Sequence, residues 1–136
     1  MVQLTYSRDS QPGLAGLIAD MSDRTIDSFA AQGAIDFGWP VARGTDPGKQ
    51  VVRSGAANFL GVAVFSQIEE SGVYPDKSTV SVMTSGRVWV VSAETVVPGN
   101  VARISAGGTF VTAGATAIVG TFLTAAAAGG LAVVQI

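Results

Sequence analysis

The chain has 136 residues and a net charge of −2, with 48% hydrophobic but only 13% charged residues. Average soluble proteins carry about 25% charged residues, so the shortfall implies a Ser/Thr/Gly surface or a large surface that another molecule covers. The eight Lys and Arg are scattered, which excludes a basic nucleic-acid footprint. With no Cys and no His, disulfides, thiolate or imidazole metal sites and every Ser-His or Cys-His arrangement are excluded.

The N-terminal residues lack the basic start and apolar run of a secretory signal, so synthesis and retention in the cytoplasm are expected. Leu14, Leu17, Ile18 and Met21 fall at i, i+3, i+4 and i+7, a spacing that predicts a short amphipathic helix. Pro12-Gly13 breaks the chain before it and Gly33 after it. Residues 1–33 are therefore expected to form an N-terminal arm, or alternatively a helix closing one end of the fold. Asp20, Asp23 and Asp27 share the opposite side and read as a solvated stripe, because calcium takes six to eight oxygens from a turning loop.

From Ala34 the punctuation is that of an all-β domain over residues 34–136. Strands are predicted at 34–43, 50–54, 59–67, 78–84, 87–93, 100–104, 109–112, 117–124 and 131–136, separated by Gly and Pro turns. In the first, Ile35, Phe37, Trp39 and Val41 alternate with smaller or polar neighbours and mark a core face. Such short strands suit a compact β-barrel or a jelly roll. Gly44-Thr45-Asp46-Pro47-Gly48-Lys49-Gln50 is one residue short of a phosphate-binding loop, has Gln50 where Ser or Thr should stand, and precedes no helix; it reads as a turn. Glu69-Glu70 are adjacent and would point opposite ways in a strand.

Residues 78–93, STVSVMTSGRVWVVSA, predict a hairpin turning at Thr84–Arg87, with strands apolar on both faces. A half-exposed antiparallel strand should alternate, so the second face needs a cover, either the chain's own core or a partner. The contact residues expected are Leu14, Leu17, Ile18 and Met21 in the arm and Met83, Val88, Trp89 and Val91 in the hairpin. Val97-Pro98-Gly99-Asn100 carries the signature of a type II turn. Val111–Gly130 is long enough to span a membrane but is rich in Ala, Gly and Thr, interrupted by Gly114 and Gly120, and lacks flanking basic residues; no span is predicted. Lys49 and Lys77 are the only lysines, and Lys77 sits in a turn beside Asp76, so no Ser-Lys dyad is indicated. No catalytic set, cofactor or metal site emerges.

Three stretches resemble the small cement, or decoration, proteins of tailed-bacteriophage capsids. Ala57-Asn58-Phe59-Leu60-Gly61-Val62-Ala63-Val64 resembles their F-I/L-G-V/I-A strand, followed by Val73-Tyr74-Pro75 leading into Val80-Ser81-Val82-Met83. Gly86-Arg87-Val88-Trp89-Val90, with Val97-Pro98-Gly99 behind it, is the second stretch. The third is Val119-Gly120-Thr121-Phe122-Leu123-Thr124-Ala125-Ala126 running through Gly129-Gly130 into Leu131-Ala132-Val133-Val134. The resemblance covers about residues 34–136. It implies a non-enzymatic barrel or jelly-roll protein on the capsid exterior, assembled in the host cytoplasm. The implied partners are the major capsid protein and the chain itself, as a homodimer or homotrimer. A carbohydrate- or receptor-binding module is the rival reading, and it requires exposed aromatics gathered in a concave site.

Overall fold

The computed structural model describes residues 14–19, 23–53, 59–66, 72–105, 108–113 and 118–136. The described chain is all β, with twelve strands in order: β1 Thr25–Ala31, β2 Ile35–Asp36, β3 Pro40–Arg43, β4 Gln50–Arg53, β5 Phe59–Ala63, β6 Val73–Tyr74, β7 Thr79–Ser85, β8 Arg87–Val91, β9 Val101–Ile104, β10 Phe110–Val111, β11 Ile118–Phe122 and β12 Leu131–Gln135. Strands β1-β4-β3-β5-β7 close into a five-stranded barrel. Among the described barrel contacts only β1–β4 is parallel, with Ala31 opposite Val51. Strands β10-β9-β11-β12-β8 form a second sheet, and β2 pairs with β6 as a small ribbon.

Each unit has its own apolar centre. Inside the barrel lie Val41, Val51, Ala63, Val80 and Val82, with Ile35, Phe37 and Tyr74. The Tyr74 hydroxyl donates to the Val64 carbonyl at 2.6 Å, which satisfies the one polar atom that this ring buries. The second core collects Val88, Val90, Ile104, Phe110, Phe122 and Val134 from the second sheet, and Val62, Val64 and Met83 from the barrel wall. One barrel flank is therefore the floor of the second core.

The hairpin predicted at 78–93 is not a hairpin. β7 pairs with β1 and β5, whereas β8 pairs with β12. Gly86, at φ 137°, passes the chain from one unit to the other. A Cβ there would press on Arg24 and the Met83 sulfur, so glycine serves the close approach. On β7 both apolar faces are covered by the chain itself, Val80 and Val82 in the barrel and Met83 in the second core, whereas on β8 Val88 and Val90 enter the second core while Trp89 and Val91 face outward.

The predicted helix is absent from residues 14–19. A single turn closes where the Leu17 amide donates to the Leu14 carbonyl at 3.0 Å, and the chain then runs extended along β8. Gly16 sits at φ 83°, which a helix cannot contain. Met21 and Asp20 lie outside the described residues. Nor does the β structure begin at residue 34, since β1 is a barrel strand that the sequence reading placed in the arm. The predicted strand 34–43 divides at Phe37-Gly38 into β2 and β3, with Gly38 at φ 78°. Gly44–Lys49 is the hairpin loop between β3 and β4, held by Asp46 accepting the Lys49 and Gln50 amides.

Candidate interaction surface

Residues 14–19 act as a strap along the edge of β8. The Gly16 amide donates to the Trp89 carbonyl at 2.7 Å, the Trp89 amide to the Leu17 carbonyl at 2.9 Å, and the Ala19 amide to the Arg87 carbonyl at 3.0 Å. On its other side the strap is tied to the barrel, where the Phe65 amide donates to the Gly16 carbonyl at 2.8 Å. At the far end of β8, Ser92 bridges Phe110 and curls the second sheet round toward β10. Barrel closure, strap and bridge together leave few strand edges unpaired.

The faces of the second sheet follow from register, because residues directly opposite share a face and neighbours along a strand alternate. Val88, Val90, Ala102, Phe122, Ala132 and Val134 are buried inward. The outward rows are then Trp89 with Val133, the latter nearly covered at 7% exposure, Val91 with Leu131, and Arg87 with Gln135, Thr121 and Val101. Ile18 pairs with Val88 and packs on the second core, so Leu17 extends the Trp89 row outward beyond the sheet edge. Val91 is 46% exposed, Leu17 37% and Leu14 56%. A solvated face would carry polar residues at these positions.

Beside Val91 opens an apolar groove of about 340 Å³ between the two units, lined by Phe37, Trp39 and Pro40 on one side and by Val91 and Phe110 on the other. The Arg53 guanidinium lies 3.3 Å from the centroid of the Trp39 ring, so one face of that indole is already occupied. Glu94, past the end of β8, accepts hydrogen bonds from the Thr112 hydroxyl at 2.7 Å and amide at 3.2 Å, which hold its carboxyl below the ordinary 4.5. Among the described residues no three His, Cys, Asp or Glu side chains gather as a metal site.

The expected contact residues thus separate. Met83 and Val88 are fully buried in the chain's own core and are not available to a partner. Ile18 is largely turned inward, whereas Leu14, Leu17, Trp89 and Val91 lie together at the strap and the outward face of β8. Leu131, Val101 and Ile118, the last 57% exposed, escaped the sequence reading. Their signal was available: only three of the 18 charged side chains, Arg87, Glu94 and Arg103, fall in residues 87–136.

Against known proteins, residues 2–136 match the pattern of the family described as structural cement protein (E217 gp24/Pam3 gp6). The chain belongs to this structural cement family. Two solved structures share the cement protein's fold. A chain of the capsid of Myoviridae phage XM1 superimposes with a TM-score of 0.71 at 18% identity, covering 98% of this chain and 96% of that one. The N base of head fiber gp8.5 of bacteriophage phi29 gives 0.60 at 13% identity, covering 84% and 94%. No curated protein matches the sequence. Membership of the cement family makes this a structural protein that stabilises a phage capsid.

Proposed function

We propose that the protein binds the outer surface of a tailed-phage head after assembly in the host cytoplasm, and there joins neighbouring major capsid subunits without catalysis. The carrying observation is the outward face of the second sheet, apolar where a solvated face would be polar and set in residues 87–136, which hold only three charges. A cement function needs area and shape, and the chain supplies both without a reactive constellation. Because many copies act on one particle, contacts of modest strength combine into firm retention.

Self-association was expected from the apolar second face of residues 78–93. The β7 part of that face lies within the chain's own two cores, while Trp89 and Val91 of β8 stay on the outward face, where a second copy or the shell would cover them. A carbohydrate-binding role would use Trp39 in the groove, but the groove is apolar and Arg53 already covers one face of the ring.

The test is reconstitution. Capsids prepared without the protein are mixed with it, sedimented and heated. Cosedimentation at a fixed stoichiometry, with a higher temperature of capsid disruption, is expected. Failure to sediment with capsids, or unchanged capsid stability, would refute the role.

A further inference from the structure

We propose that the groove between the two units is a binding site for a peptide segment of a capsid subunit, one that carries a large apolar side chain next to an acidic residue. The apolar side chain enters the groove and the carboxylate meets the Arg53 guanidinium. The inference rests on the cement reading and adds a site and the chemistry of the segment that fills it.

At about 340 Å³ the groove lies at the small end of ligand pockets, which run from roughly 300 to 1,000 Å³, and it suits one or two side chains rather than a folded element. Phe37, Trp39 and Pro40 wall it on the barrel side, Val91 and Phe110 on the other. Its polar groups are already engaged. The Phe37, Trp39, Ser92, Ala93 and Gly129 amides all donate to carbonyls of the chain. The Ser92 hydroxyl donates to the Glu94 carbonyl at 2.6 Å, and the Thr109 and Ser105 hydroxyls share a hydrogen bond at 2.6 Å. A guest therefore meets apolar contact and almost no hydrogen bonding. That excludes a sugar, whose hydroxyls would be buried unpaired.

Polar recognition is left to one group on the groove wall. The exposed Arg53 guanidinium stacks 3.3 Å from the centroid of the Trp39 ring. Stacking uses the flat face of a guanidinium and leaves its N–H donors pointing outward in the plane, in the fork that matches a carboxylate. Among the described residues no acceptor takes those donors. Consecutive residues of a peptide stand about 3.8 Å apart, so an acidic residue beside the apolar one can reach Arg53 round the edge of the indole. A second copy does not offer such a segment. Of the large apolar side chains exposed among the described residues, only Ile26 has an acidic neighbour, Asp27. Both lie in β1, where successive side chains point to opposite faces and cannot enter one groove together.

The experiment measures retention of the full chain on capsids prepared without it, by cosedimentation at low and at high salt. Ala93→Trp fills the groove from an exposed position on its wall, Arg53→Gln removes the cation, and Lys49→Gln removes an equal charge from the exposed β3–β4 loop. Melting curves within a few degrees of wild type establish which variants are folded, and the two groove variants make the conclusion independent of either one. Each folded groove variant should lose about tenfold or more in retention, while Lys49→Gln binds as wild type. Arg53→Gln should also flatten the salt dependence, because salt screens the ion pair that it removes. Wild-type retention by the groove variants would overturn the inference and leave the cement role standing. An equal loss in Lys49→Gln and Arg53→Gln would make the effect one of general charge and also refute the site. Failure of wild type itself to bind would overturn both readings. A wild-type dimer that Ala93→Trp converts to monomer would assign the groove to a second copy, against the proposal.

Discussion

Individual glycines and polar atoms fix how closely the parts approach. Gly61 stands in the middle of Phe59-Leu60-Gly61-Val62-Ala63, where a side chain would ordinarily add core, yet a Cβ there would collide with the Met83 carbonyl of β7. Gly61→Ala should therefore push β5 from β7 and cost about 1–3 kcal/mol, as overpacking does, read as a lower melting temperature. An unchanged melt would show that the two strands can part without loss. Gly99 was legible in advance: it takes φ 93° with the Asn100 amide donating to the Val97 carbonyl at 3.2 Å, as Pro-Gly requires. Gly61 was not legible, because its constraint comes from a strand some twenty residues away. At Glu94 the hydroxyl and amide of Thr112 favour the ionised carboxylate and lower its pKa below 4.5. A depressed folded pKa gives stability that is present above the unfolded value and lost as pH falls through the folded one, here below 4.5. Thr112→Val should raise the Glu94 carboxyl toward 4.5 in an NMR titration; an unmoved titration would mean that the bond does not act on the carboxylate.

Between elements, the sequence carried strand content better than strand pairing. Eight of the nine predicted strands each correspond to a single observed one, seven with shorter ends and β7 shifted by one residue, and the ninth, 34–43, divides into β2 and β3. The apparent hairpin failed because Thr84-Ser85-Gly86-Arg87 has the composition of a turn, but the partners of β7 and β8 lie far away in sequence. β1 escaped notice because its first four residues, Thr25–Ser28, are exposed and leave little apolar alternation to read. The strap imitated a helix for a different reason: one turn at Leu14–Leu17 followed by an extended residue places Leu17 outward and Ile18 inward, a spacing that also fits a helix. Gly16 was the contrary signal. It sits at φ 83°, and a Cβ would stand 2.8 Å from the Gly38 and Phe65 nitrogens. Gly16→Val should detach the strap, speed hydrogen exchange at the Trp89 amide that it covers, and destabilise the fold by roughly 1–3 kcal/mol. Unchanged protection at Trp89 would show that the strap tolerates the branch.

Across the whole molecule the question is whether two cores make two folding units. β5 and β7 face both ways: Ala63, Val80 and Val82 lie in the barrel, while Val62 and Met83, paired in register, lie in the second core. Neither core can lose its packing without disturbing strands that build the other, so the chain should unfold in one cooperative transition despite its bipartite look. Met83→Ala removes a fully buried side chain from the second core and should cost about 2–5 kcal/mol. Val80→Ala removes a smaller, equally buried one from the barrel and should cost less. If the strands couple the cores, each substitution lowers the midpoint of the same single calorimetric peak, with van't Hoff and calorimetric enthalpies remaining equal. Two peaks, with Met83→Ala moving one and Val80→Ala the other, would mean that the barrel and the second sheet fold independently. Cooperative unfolding also bears on cementing. Both cores would share strain placed on the outward face through β5 and β7, so a load at the shell contact would be resisted by the whole chain.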